Sequence, residues 1–201
     1  SYDSFTYVSS SDVYGNADAP FKENLPLRPN SPHSFAKASA ELLCNMMHQT
    51  YAQPTLVVRP FLTYGPGQKT HMLIPNVITA ALADRKISTT AGAQGREINY
   101  VEDVVDGLVR AATTNAAIGE TINLGNGTET PVRSIVEMTV RLCGKDLSLI
   151  DSSRPYRSNE IWHMRADPTK AKNILGWHAI TPVEQGLLNT IAWYRQHPSF
   201  T

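Results

Sequence analysis

Four short segments gather the side chains able to do chemistry. They are Tyr7-Val-Ser-Ser-Ser-Asp-Val-Tyr-Gly15, Ser31-Pro-His-Ser-Phe-Ala-Lys-Ala-Ser-Ala-Glu41, Val58-Arg-Pro-Phe-Leu-Thr-Tyr-Gly-Pro66 and Arg96-Glu-Ile-Asn-Tyr-Val-Glu-Asp-Val-Val-Asp-Gly107. They supply a strand ending in hydroxyls, a helix carrying a lysine, a second strand ending in Arg-Pro, and an arginine ahead of another helix. Such a set composes a ligand site, because ligands of open α/β sheets bind at the carboxyl ends of the strands. The six histidines show no metal-ligand spacing, so no metal site is expected. Cys44 and Cys143 lie far apart within helical patterns and read as buried free thiols of a reducing cytosol.

The elements that must carry these residues follow from periodicity. Phe5 to Ser9 reads as a strand, and a polar, proline-rich loop runs from Asn16 to Pro32. Ser34 to Tyr51 reads as a long helix, with Ala36, Ala40, Leu43, Met47 and Tyr51 at three- and four-residue spacing. Thr55 to Arg59 is a strand, apolar in the middle as strands buried on both faces are. Pro60 to Gly67 reads as a loop, Met72 to Ala83 as a helix, Asn99 to Val101 as a strand, Glu102 to Thr113 as a helix, and Glu120 to Leu124 as a strand. Three helix starts are signed: Thr130-Pro131, Asp167-Pro168 with Gly176 ending the helix, and a capping box at Thr181-Pro-Val-Glu184. Asp103 reads as a cap for the helix after Val101. Alternating strands and helices imply an α/β fold with a mainly parallel sheet.

Composition agrees. A chain of 201 residues, 41% hydrophobic, is long enough to bury roughly 70% of its unfolded surface. Eighteen basic residues balance eighteen acidic ones, which excludes a broad nucleic-acid or membrane-surface binder but leaves room for a small anion site. No signal peptide and no long apolar run is visible. Nor is there a Gly-x-x-Gly-x-x-Gly or Gly-x-Gly-x-x-Gly after an early strand, so these residues alone offer no dinucleotide phosphate site.

Taken in order, the four segments resemble the extended short-chain dehydrogenase/reductase family, and within it the NAD-dependent sugar epimerase/dehydratase branch. The run Asp167-Pro-Thr-Lys-Ala-Lys-Asn-Ile-Leu-Gly-Trp177 extends that likeness toward the C-terminus. The resemblance implies the C-terminal part of a Rossmann-like parallel sheet plus a smaller α/β substrate-binding domain. Residues 1–66 would form the catalytic end of the cofactor domain. Residues 67–201 would be mainly substrate domain, with segments around 96–115 and 121–125 interleaving with the Rossmann part. It further implies the rear part of a longer cytoplasmic protein, a homodimer at full length through the Ser34 to Tyr51 helix, with NAD as cofactor (NADP open) and a nucleotide-sugar as substrate.

The family's residue roles carry over position by position. Ser10, four before Tyr14, takes the hydroxyl role that orients the substrate oxygen. Lys37 takes the lysine role on the nicotinamide ribose. Pro60 and Phe61 fall beside the cofactor. His33 stands where Tyr-x-x-x-Lys requires tyrosine, placing it with the cofactor-binding and catalytic residues. It has three readings: a replacement proton acceptor, a mark of a protein that binds without turnover, or a local change with another group as base. Asp12 matches a carboxylate, usually Glu, that works on the sugar ring in dehydratases and decarboxylating relatives, while Ser11 stands where hexose 4,6-dehydratases tend to carry Asp. Arg96 matches the arginine that grips the nucleotide diphosphate, with Arg154 as a second clamp, a task suited to a planar guanidinium. Leu62 replaces an Asn that helps hold the diphosphate. The resemblance therefore implies hydride transfer at the sugar C4; a silent NAD- or sugar-nucleotide-binding module and a reductase on a non-nucleotide carbonyl stay open as alternatives.

Overall fold

The computed structural model describes residues 2–198. The strands are β1 (Phe5–Val8), β2 (Thr55–Pro60), β3 (Thr63–Tyr64), β4 (Ile87–Ser88), β5 (Gly95–Arg96), β6 (Asn99–Tyr100), β7 (Thr121–Leu124), β8 (Thr130–Pro131) and β9 (Ile150–Asp151). The helices are α1 (Pro32–Tyr51), α2 (Leu73–Leu82), α3 (Val101–Thr113), α4 (Val132–Leu142), α5 (Thr169–Leu175) and α6 (Val183–Gln196). The main sheet is parallel, in the order β1-β2-β7, with Tyr7 opposite Val57 and Val58 opposite Ile122. β3 pairs with β6 and β4 with β9 in parallel, and β5 pairs with β8 antiparallel. The expected α/β class with a parallel sheet is what the chain forms.

Three packed clusters hold these elements. Leu56, Val58, Ile122 and Leu124 of the sheet pack against Val104 and Ala111 of α3, Leu175 of α5 and Trp177. A second cluster joins α2, α4 and α6 through Ile78, Val136, Val140, Leu187 and Ile191, with Tyr64 and Tyr100 at its edge. A third, built on Val13, Tyr14, Phe21, Phe61 and Met164, lies beside the carboxyl ends of β1 and β2. Beneath it runs a buried polar chain. Arg59 forks onto Glu41, with Nη2 2.6 Å from Oε2, and its Nη1 donates to the Tyr14 hydroxyl at 2.7 Å. Tyr14 in turn donates to Asn123 Oδ1 at 2.7 Å. Burial pushes the Tyr14 phenol up to about 12 despite the adjacent guanidinium, so it stays a donor. The chain ties α1 to β2 and β7, and so sets where α1 holds its side chains.

Several local expectations are corrected. Helix α1 starts at Pro32 rather than Ser34, because Ser31 and Ser34 form a reciprocal capping box with Pro32 at the first helical position. This puts His33 inside the first turn, one turn before Lys37. Thr130 and Pro131 do not cap α4; they are strand β8, and the free amides of Val132 and Arg133 are satisfied by the carbonyls of Gln94 and Gly92. Thr181 makes no capping box for α6; its amide donates to Asp103 Oδ2 at 3.0 Å. Asp103 thus ties α3 to the α6 entry instead of capping its own helix. Asp167 does accept from the Thr169 amide at 3.0 Å, and Gly176 ends α5 in the left-handed region, φ 60°. The loop expected from Pro60 to Gly67 contains β3, and Val101 opens α3 instead of ending a strand. Among the described residues no helix is long and apolar enough to cross a membrane, and no three His, Cys, Asp or Glu converge as a metal set.

Candidate active site

A cavity of about 540 Å³ opens at the carboxyl ends of β1 and β2. Its walls come from five places: Ser9 to Asp12 after β1, Asn30, Ser31, His33 and Lys37 at the start of α1, Pro60 to Thr63 at the end of β2, Met72 ahead of α2, and Arg96 with residues between Arg157 and Met164. The volume lies in the range of small-molecule sites. Ser10, Asp12, His33, Lys37, Pro60, Phe61 and Arg96 therefore meet in one place, although up to 86 positions separate them in the chain.

Ser10 leaves β1 in extended conformation and caps the short 3-10 turn Ser11–Tyr14, its Oγ accepting from the Asp12 amide at 3.2 Å. The bond occupies an acceptor lone pair and leaves the hydroxyl proton for a ligand. Ser9, its neighbour, is buried, lines the cavity and has a hydroxyl with no partner. Nothing in the sequence separates Ser9 from a strand-end serine; its orphaned oxygen shows only in three dimensions.

Lys37 reaches back across the end of β1. Its Nζ donates to the Val8 carbonyl at 2.8 Å and lies 5.3 Å from the centre of the Tyr7 ring. His33, one turn earlier on the same face, has Nδ1 3.6 Å from Asp12 Oδ2. That separation is ion-pair range for an imidazolium and too long for a hydrogen bond. No tyrosine lines the cavity. Tyr7 is the phenol beside Lys37, but burial pushes its pKa up, the wrong direction for a phenolate base. One turn before Lys37, His33 lines the cavity and carries the one imidazole among its lining residues.

The anion end is arranged differently from expectation. Arg96 lines the cavity, but Nη2 is paired with Glu160 Oε1 at 2.6 Å and Nη1 donates to the carbonyls of Gly95 and Ile161 at 2.7 and 2.6 Å. Arg154 is exposed and does not line the cavity; its amide donates to Thr89 O, which draws it toward β4 and β9. Arg157, three residues on, lines the cavity instead. Leu62 lines it too and offers no side-chain hydrogen bond, while its carbonyl accepts from the Asn99 amide at 2.9 Å. Beneath Arg96 the buried Glu97 carboxylate accepts from the Ala166 amide at 2.7 Å and from Asn99 Nδ2 at 3.3 Å. Burial pushes its pKa up while those donors oppose the shift. Glu97 ties the end of β5 to the segment from Met164 to Ala166, its own amide donating to the Met164 carbonyl at 3.0 Å.

Comparison with known proteins identifies the family. Residues 2–190 match the family described as GDP-mannose 4,6 dehydratase. An uncharacterised UDP-glucose epimerase of Bacillus subtilis is 30% identical over 195 residues, covering 96% of this chain and 61% of that protein. A dTDP-glucose 4,6-dehydratase of Xanthomonas campestris is 32% identical over 208 residues, covering 94% of this chain and 57% of that protein. The crystal structure of a dTDP-glucose 4,6-dehydratase from Bacillus anthracis, in complex with NAD, superposes with a TM-score of 0.89 at 30% identity, over 96% of this chain and 62% of that one. The chain thus spans about 60% of the length of these relatives. The β1-β2-β7 sheet corresponds to part of their Rossmann fold. With the family matched along nearly its whole length and its motif residues gathered in one cleft, the chain belongs to the GDP-mannose 4,6 dehydratase family, in the sugar epimerase/dehydratase branch of the extended short-chain dehydrogenases/reductases.

Proposed function

We propose that this chain supplies the catalytic and substrate-binding part of an NAD(P)-dependent enzyme that oxidises a nucleotide-activated sugar at C4, the step shared by epimerases and dehydratases. The convergence of Ser10, His33, Lys37 and Asp12 on one cleft with Arg96 carries this reading. The residues present fit the nicotinamide riboside end of the cofactor: a lysine ammonium, the orphaned Ser9 hydroxyl, and the wall of Pro60 and Phe61. Lys37 would hold the ribose, and Pro60 with Phe61 would bound the ring. When bound, NAD⁺ supplies the acceptor for the hydride that leaves C4.

The chain's own residues handle the rest. Ser10 orients the sugar hydroxyl. His33 takes the hydroxyl proton as the C–H bond breaks and the C4 carbonyl forms. The imidazolium so produced is stabilised by Asp12, whose carboxylate is already within ion-pair range. Lys37 is held in the cleft by its bond to Val8 O. Arg96 and Arg157 face the phosphoryl groups. Leu62 and the engagement of Arg96 by Glu160 favour a second reading, a reductase on a carbonyl substrate without a nucleotide.

Residues 1–66 form the cofactor part in this proposal and 67–201 mainly the substrate part, with 96–115 and 121–125 shared. The full-length protein is proposed as a cytoplasmic homodimer; exposed Phe35, Leu42 and Met46 on one stripe of α1 support self-association through that helix. The test is incubation of the natural full-length protein with NAD⁺ and UDP-, dTDP- and GDP-sugars, followed by product analysis. Formation of an epimer or a keto sugar is the expected result. Failure to bind or convert any of them removes the sugar-nucleotide reading.

A further inference from the structure

The pairing of Arg96 with Glu160 has a lopsided construction. One side of the guanidinium is fixed by two backbone carbonyls, Gly95 O and Ile161 O. The other nitrogen meets Glu160, and the two side chains are 14% and 10% exposed. Glu160 ends the segment from Ser152 to Asn159, which is exposed throughout except at Tyr156. That segment is held by the Arg154 amide on Thr89 O and by Tyr156, whose hydroxyl accepts from the Ala93 amide. Arg157 stands on it, lines the same cavity and has no ion pair among the described residues.

We infer that Glu160 is a specificity-determining residue, a tethered carboxylate that occupies the anion seat of Arg96 and must be displaced by the ligand's phosphoryl oxygens. This rests on the reading that Arg96 receives an anionic substrate. Arg96 keeps its place when the Glu160 side chain swings away, because Nη1 is held by the backbone carbonyls of Gly95 and Ile161 and not by that carboxylate. A carboxylate and a phosphoryl group present similar oxygen pairs to a guanidinium, so the exchange conserves its hydrogen bonds. A ligand with a single phosphoryl group only replaces Glu160 and gains little. A diphosphate replaces it and also meets Arg157, a cation of the same cleft with no ion pair among the described residues. Glu160 thereby sets a threshold: ligands need a second phosphoryl group, within reach of Arg157, to bind well.

The experiment is calorimetric titration of the natural full-length protein with UDP, dTDP and GDP, and with the matching monophosphates, for wild type, Glu160→Gln, Glu160→Ala and Arg96→Gln. Removing the tethered charge is expected to tighten binding by about tenfold or more, given the coupling of close charge pairs. It should also shrink the preference for diphosphate over monophosphate. Arg96→Gln is expected to abolish binding. Unchanged or weaker binding in both Glu160 variants, with loss in Arg96→Gln, overturns the competitor role and leaves the anion seat intact. Unchanged binding in Arg96→Gln, or no binding by any protein, overturns both readings.

Discussion

Asp12 Oδ2 stands 3.6 Å from His33 Nδ1 at the open side of the cleft, a carboxylate beside the one imidazole among the residues lining that cavity. The contact gives Asp12 a job that its position in the sequence does not suggest. In the proposed mechanism it answers the charge that His33 acquires on taking a proton.

Asp12→Asn keeps the side-chain shape and removes that charge. The expected outcome is a fall of roughly tenfold or more in kcat, each tenfold corresponding to about 1.4 kcal/mol of transition-state stabilisation. KM for the sugar-nucleotide should hold, because the lost interaction forms only as the proton moves. Steady-state kinetics separates the two. An unchanged kcat with a raised KM would assign Asp12 to substrate binding.

The buried Arg59–Glu41 pair, with side chains 4% and 0% exposed, should govern stability. Arg59→Met leaves a buried carboxylate uncompensated and is expected to cost about 3–5 kcal/mol in denaturant unfolding. Arg59→Met combined with Glu41→Leu should cost less than the single change. A double variant worse than the single one would show that the pair does more than neutralise itself.

Cys44 and Cys143 are buried free thiols, and burial pushes Cys143 up to about 11 and Cys44 in the same direction. Neither should react with a thiol-specific chromogenic disulfide at pH 8 in the native protein, and both should react in denaturant. Rapid labelling of the native protein at either site would contradict the packing described for α1 and α4.

Asp167 lies just before the Pro168 N-cap of α5, and the hydrogen bonds it receives from Thr169, the first residue of that helix, hold its carboxyl below the usual range. A carboxyl lowered in the folded state adds stability above its unfolded pKa of about 3.9 and loses it as pH falls through the folded value. Asp167→Ala is therefore expected to cost about 1 kcal/mol at pH 7. The gap to wild type should close toward pH 3 and below in urea melts. A gap that widens in acid would reverse the sign of the argument.

Much of this was readable in the chain. The long helices declare themselves by spacing, and the motif around Ser10, His33 and Lys37 is local enough to place on a strand end and a helix face. What escaped depends on distant partners. Glu160 meets Arg96 across 64 positions, and Asp103 meets the Thr181 amide across 78. Local signals at Thr130 and Thr181 pointed to capping, yet the backbone of Gln94 and Gly92 and the carboxylate of Asp103 won those sites. The same limit explains Arg154 and Arg157: they sit three residues apart in an irregular segment, where no periodicity says which one turns inward.

The central claim is that His33 accepts the substrate proton where a tyrosine would be expected. Its most direct test is turnover of the natural protein's nucleotide-sugar substrate by wild type and His33→Ala, with and without added imidazole. A fall of about 10²-fold or more in kcat, partly restored by imidazole, is the predicted result. Equal turnover by His33→Ala would contradict it.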